Sequence, residues 1–179
     1  MSKPKLLLHV CCSTCGGYLA QELLEQYDVA IFFDNSNIFP KEEFFRRSDE
    51  AKKFFTSQGY EYVQPEYNHE EWSMLVSGLE GEPERGGRCR ICYRFRLDKA
   101  AIYAKENGFK YFASTLAISP HKDAVAINEI GSFLAKQSGI NFLAGDWKKH
   151  EGFKKAMQFS CEHDFYRQNY CGCEFSMKS

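Results

Sequence analysis

Sulfur is the reactive element this chain concentrates. Eight of its 179 residues are cysteine. Seven fall into three tight groups: Cys11, Cys12 and Cys15, then Cys89 and Cys92, then Cys171 and Cys173. Cys161 stands apart. Separated clusters of soft ligands suggest a metal or redox centre that folding assembles. The pair in Cys89-Arg-Ile-Cys92 falls at an expected loop-to-helix junction. There, helix amides and neighbouring arginines should lower both thiol pKa values. Together with Cys11 and Cys12 it supplies four thiolates, enough for a [4Fe–4S] cluster or a four-cysteine zinc site. Cys15 forms a second CxxC with Cys12, as a spare ligand or a packed thiol. In Cys171-Gly172-Cys173 the glycine permits the geometry a CxC disulfide needs, and such a ring is readily reduced. That spacing suits an exchangeable redox pair, the alternative being a further pair of metal ligands.

Those residues need a frame. Lys5 to Val10, Val29 to Phe33, Tyr60 to Val63, Tyr111 to Ser114 and Ile140 to Leu143 read as short buried strands. Between them helical spacing runs over Gly16 to Tyr27, Pro40 to Gln58, about Glu70 to Val76, Cys92 to Asn107, and 122–137. Pro40 sits at a helix start, and Gly59, Gly108 and Gly139 sit at helix ends. Strands alternating with helices predict an α/β fold: one domain over 1–179, a mostly parallel sheet flanked by helices, and a cysteine-containing extension over 150–179. Ligands in such sheets bind beyond the carboxyl ends of the strands. That edge should carry Cys11 and Cys12, Asp34 and Asn35, and Thr115 with Ser119.

Composition narrows the classes. The chain is 44% hydrophobic, with 16 Phe and 10 Tyr, ample for a core. No apolar run of about 18 residues is present, so no transmembrane helix is expected. The first residues lead straight into a strand without the apolar stretch of a signal peptide, which points to the cytoplasm. Structural disulfides are rare there, so the even cysteine count does not imply four staples. The net charge of −1 conceals an acidic segment over 61–84 followed by a basic one over 85–99. The basic block either steers a polyanion toward the CxxC or is an ordinary solvated helix face. Tyr166, Arg167 and Tyr170 alternate base and aromatic near Cys171, which suits stacking on nucleotides as well as a core-and-rim role. Asp34, His121 and Asp123 are each proton donors or caps. Phosphate-loop, dinucleotide and radical-SAM motifs are absent from the sequence, which argues against nucleotide hydrolysis.

Five stretches together resemble the epoxyqueuosine reductases of the QueH type. They are Leu-Leu-His-Val-Cys-Cys-Ser-Thr-Cys at 7–15, Phe-Asp-Asn-Ser-Asn-Ile-Phe-Pro-Lys-Glu-Glu at 33–43, and Arg-Cys-Arg-Ile-Cys-Tyr-Arg-Phe-Arg at 88–96. Thr-Leu-Ala-Ile-Ser-Pro-His-Lys at 115–122 and Tyr-Arg-Gln-Asn-Tyr-Cys-Gly-Cys at 166–173 complete the set. Ser13-Thr14 stands where that family usually has Ala-Pro, and Asp34-Asn35 where Asn-Pro is common; neither change removes a thiol. The resemblance implies a nucleotide α-hydrolase-like (HUP-like) sandwich. It also implies the last step of queuosine biosynthesis: two-electron reduction of epoxyqueuosine to queuosine at the wobble position of a tRNA anticodon, without cobalamin. On that resemblance Cys11, Cys12, Cys89 and Cys92 hold a [4Fe–4S] cluster, and Cys171 and Cys173 cycle between dithiol and disulfide. Surplus thiolates and Asp34 leave room for an additional iron. Arg88, Arg90, Arg94, Arg96 and Arg167 are the expected contacts to the anticodon loop, and the electron donor is left open. Two competing readings are a zinc-stabilised nucleic-acid-binding module and a metal-free thiol–disulfide oxidoreductase.

Overall fold

The computed structural model describes residues 2–177. Five strands form one parallel sheet: β1 (Lys5–His9), β2 (Asp28–Phe32), β3 (Glu61–Val63), β4 (Tyr111–Ser114) and β5 (Asn141–Phe142), in the order β3-β2-β1-β4-β5. Leu6, Leu7 and Leu8 of β1 are fully buried because the central strand has helices on both faces. A continuous apolar run rather than an alternating one is what such a strand requires.

Among the described residues six α-helices accompany the sheet: α1 (Ser13–Leu23), α2 (Lys41–Ser57), α3 (His69–Leu75), α4 (Gly87–Glu106), α5 (Ala124–Ser138) and α6 (Gly152–Glu162), with α6 packed on α1 and α3 on α4. On one face Leu7, Phe32 and Phe112 pack against Leu97, Ala100, Ala101 and Ala104 of α4 and Ile127 and Leu134 of α5. On the other, Leu6, Leu8, Ile31 and Phe33 meet Leu19 and Leu23 of α1 and Phe44, Ala51 and Phe55 of α2. Gly139, at φ 72°, closes α5 in the left-handed conformation that its sequence position anticipates.

Two helix starts differ from the expectation, and both matter for the thiols. Helix α1 begins at Ser13, so Cys15 lies in its first turn. Helix α4 begins at Gly87 rather than Cys92, so both sulfurs of the CxxC project from its first two turns. Apolar spacing cannot reveal that start, because Arg88, Arg90 and Arg94 interrupt it. The cap comes from across the loop, where the Glu82 carboxylate accepts from the Gly87 amide at 2.8 Å. Asp123 is likewise a cap, its Oδ1 accepting from the Ala126 amide at 3.1 Å. No helix among the described residues is long and apolar enough to cross a membrane.

The segment after α6 turns back across the start of α2. Gly172 accepts from the Phe39 amide at 2.8 Å, and the Arg47 guanidinium donates to the Cys171 carbonyl at 3.2 Å. Arg47 is buried and paired with Glu43 at 2.6 Å, so this clamp is internal. Gly172 adopts φ 135° against Ile38 and Arg47, a conformation L side chains rarely take.

Close helix approach holds α6 in place. A Cβ on Gly17 of α1 would lie 2.5 Å from the Phe159 ring of α6 and 3.2 Å from Phe54 of α2. Gly17→Ala should therefore destabilise the fold by about 1–2 kcal/mol, overpacking outweighing the gain in helix propensity. A lowered urea midpoint at unchanged m-value would register it.

Candidate functional site

Strands β1, β2 and β4 all end at the same edge, delivering Cys11, Asp34 and Thr115 to one region. Beyond that edge lies a cavity of about 510 Å³. Cys11, Cys12 and Cys15 line one side of it, and Cys89, Cys171 and Cys173 also contribute to its lining. Cys92 is buried among Trp72, Phe95 and Cys173, behind that wall, and Cys161 is exposed. Every cysteine is a free thiol in this structure, Cys171 and Cys173 included. Among the described residues no three Cys, His, Asp or Glu side chains converge on one point as a single-ion site. The thiols surround a space instead.

The electrostatics depart from the sequence expectation. The helix start and nearby arginines were to lower the CxxC pKa values; burial prevails and raises both. Cys92 is pushed up to about 11 by desolvation, against the pull of Arg96, and Cys89 rises for the same leading reason. Cys11 stands well above its ordinary value through its bond with Cys12 and through burial. Cys12 is stabilised as a thiolate by Cys11, yet Cys15 and burial leave it raised. At all four positions the net balance favours the thiol over the thiolate.

Two cations face them. Arg96, 1% exposed, projects from α4 and hydrogen-bonds the Asn35 side-chain oxygen. Burial opposes its charge, but Cys92, Cys11 and Cys171 more than offset that and hold its pKa above the usual value. Lys122, on the cavity wall, is likewise held above its ordinary range by Cys171 and Cys11 despite desolvation. A neutral histidine underlies the same edge. His9 Nε2 donates to the Asp34 carbonyl at 3.1 Å, and its Nδ1 receives the Ser114 hydroxyl at 2.9 Å. Burial is the main reason its pKa lies well below the usual histidine value. Asp34 is buried with its carboxyl raised by desolvation, Lys99 lying 3.9 Å away; it does not line the cavity.

The five arginines named from sequence divide sharply. Arg88 is buried, and its Nη1 donates to the carbonyls of Leu79, Glu80 and Glu82 at 3.0, 2.8 and 2.7 Å. Arg96 is equally internal. Both are therefore corrected from surface phosphate contacts to interior groups, because each is the partner that a buried polar neighbour requires. Arg90 and Arg94 are exposed on the side of α4 facing α5, near Glu129 and the Phe133 ring. Arg167 is exposed and lines the cavity.

Sequence reasoning missed Lys122. Lys122 belongs to the stretch at 115–122 that stood out, but only the fold shows that it faces Cys11 and Cys171.

Fold and site together define an α/β protein whose parallel sheet carries, at its carboxyl edge, a cavity lined by thiols in place of a phosphate loop. The frame recurs in a predicted subunit of tRNA methyltransferase from Methanocaldococcus jannaschii, with a TM-score of 0.58 over 86% of this chain and 74% of that one at 13% identity. The sequence profile described as epoxyqueuosine reductase QueH matches residues 6–179. Proteins named epoxyqueuosine reductase QueH are similar along nearly the whole chain. That of Streptococcus pyogenes serotype M1 is 41% identical, over 98% of this chain and 71% of its own length. That of Acinetobacter baylyi is 38% identical over 97% and 81%, and that of Dehalococcoides mccartyi is 38% identical over 97% and 92%. The chain belongs to the epoxyqueuosine reductase QueH family, a family of oxidoreductases.

The two classes of arginine separate by experiment. Arg88→Ala should cost about 2–3 kcal/mol through the three carbonyls it strands. Arg94→Ala should stay within about 0.5 kcal/mol of the parent. Parallel thermal melts check both.

Proposed function

We propose that this chain reduces epoxyqueuosine to queuosine at the wobble position of a tRNA anticodon, in the cytoplasm, with a [4Fe–4S] cluster held by Cys11, Cys12, Cys89 and Cys92. Family membership supports the reaction, and one structural observation supports the chemistry: a cavity at the sheet edge lined by six thiols, with Lys122 on its wall and the buried Arg96 beside the sulfurs.

The donor set fits such a group. Cys11, Cys12 and Cys89 would hold it from the cavity wall, and Cys92, one turn further along α4 and buried behind that wall, would complete the four soft donors. Arg96 and Lys122 supply the positive charge that an assembly of thiolates calls for, and protonated thiols would release their protons on ligation. When bound, the cluster supplies one-electron redox chemistry.

The remaining roles fall to the chain. Lys122, Thr115 and Ser119 line the cavity and offer N–H and O–H donors to the epoxide oxygen. Phe153 and Met157 of α6 add an apolar wall against which a ring can lie. Cys171 and Cys173 are the two-electron source: two thiols become one disulfide while the epoxide loses its oxygen, giving an alkene and water. The two thiol protons enter that water, and both C–O bonds break. An external reductant then restores the dithiol. Arg167, exposed beside the cavity, is the arginine best placed to meet a phosphate of the anticodon loop.

An absorption spectrum of anaerobically purified protein, with iron, sulfide and zinc assayed, tests the reading. A broad band near roughly 400 nm with about four iron and four sulfide per chain is expected. Serine at Cys11, Cys12, Cys89 or Cys92 should remove both the band and turnover. Serine at Cys171 or Cys173 should keep the band and abolish turnover of epoxyqueuosine-containing tRNA. A colourless protein with about one zinc would overturn the cluster.

A further inference from the structure

Phe39 is held firmly by its backbone and left open at its ring. It precedes α2 and is 41% exposed. Its amide donates to the Gly172 carbonyl at 2.8 Å, and its carbonyl accepts from the Tyr170 hydroxyl at 2.5 Å. Tyr170, Cys171 and Cys173 line the cavity, whereas Phe39 does not. The ring is therefore tied to the cavity wall from outside. The His69 ring lies 5.4 Å from it and is fixed in turn by the Ser36 carbonyl and the Glu174 carboxylate.

One exposed ring is ordinary on a protein surface. This one continues into a strip of rings and cations. The buried Glu43–Arg47 pair underlies two tyrosines, both partly exposed: Tyr166 donates its hydroxyl to Glu43, and the Arg47 guanidinium lies 5.2 Å from the Tyr170 ring. The Arg46 guanidinium stacks on the Tyr166 ring at 3.5 Å. Carboxylates beside the rings are already engaged, Glu43 by Arg47 and Tyr166, Glu50 by the Tyr166 amide, and Glu174 by His69. Arg46 and Arg167 remain exposed to meet phosphates. Glu42 and Asp49 of α2 are exposed too, so stacking rather than charge must supply most of the affinity.

We propose that Phe39, Tyr170 and Tyr166 form a stacking platform for the unpaired nucleotides that flank the one entering the cavity, with Arg46 and Arg167 on their phosphates. The inference rests on the tRNA reading above. A base can bring its substituent into a cavity only by leaving its own stack, and its neighbours then lose a partner. An aromatic ring beside the mouth replaces that partner whatever the neighbouring base is, because every base has a π-face.

The test is binding of a synthetic tRNA anticodon stem–loop to the full chain, followed by fluorescence anisotropy. Phe39→Ala should weaken binding about tenfold. Phe39→Trp should retain it, whereas Phe39→Leu, apolar without a π-face, should not. Arg46→Ala should reduce the slope of log affinity against log salt by about 1, and Phe39→Ala should leave that slope unchanged. A loop-free RNA duplex should bind Phe39→Ala and the parent alike, and their urea midpoints should agree. If Phe39→Ala holds the stem–loop as tightly as the parent does, the platform is overturned and the tRNA reading stands. A parent chain that binds no stem–loop overturns both. Self-association abolished by Phe39→Ala, with RNA affinity intact, would assign the ring to a second copy of the chain instead.

Discussion

Burying a guanidinium at the carboxyl edge of a parallel sheet is the constraint around which this molecule is organised. Arg96 cannot stay inside without partners, since an uncompensated buried charge is among the most expensive features a fold can contain. Its answer is a chain of contacts. Arg96 binds the Asn35 side-chain oxygen, and the Asn35 amide donates to the Val10 carbonyl at 2.8 Å, one residue before Cys11. Helix α4, the loop after β2 and the loop after β1 are thereby locked to one another at the point where the thiols emerge. His9 extends the lock to β4, because its two ring nitrogens are taken by Asp34 and Ser114. Neutral histidine and charged arginine can share the edge only because burial keeps the first unprotonated.

Much of this frame could be read from the sequence, for a physical reason. Runs such as Leu6-Leu7-Leu8 must be buried wherever they lie, and the glycines after α2, α4 and α5 stop helices by conformation alone. The five-strand alternation and its ligand edge followed. What escaped were decisions made across space. The start of α4 depends on a Glu82 carboxylate reaching over a loop. The fate of Arg88 and Arg96 depends on which carbonyls and amides lie nearby, and a run of like charges carries no record of that. The thiol pKa values were misjudged because proximity to arginine is visible in sequence while desolvation is not.

The site shows the same division. The clustering of the cysteines anticipated their convergence: six line one cavity, while Cys92 lies behind its wall and Cys161 is exposed. Their relation to Lys122 was not legible, since lying at the end of a recognisable stretch does not tell which way a side chain faces. Gly172 is instructive in another way. Its sequence context suggested a glycine permitting the geometry of a CxC disulfide, but its positive φ and the crowding by Ile38 and Arg47 show that packing already demands glycine there. Both demands fall on one residue.

The three thiol groups are separated by roughly eighty residues of chain at each step, and the internal clamp of Arg47 on the Cys171 carbonyl is what brings the last of them home. No short segment carries the cavity; it exists only in the finished fold. Anything that bridges its walls therefore binds the native state in preference to the unfolded chain, and by mass action its free concentration becomes a stability variable. Resistance to unfolding in such a protein is a gauge of how full its centre is.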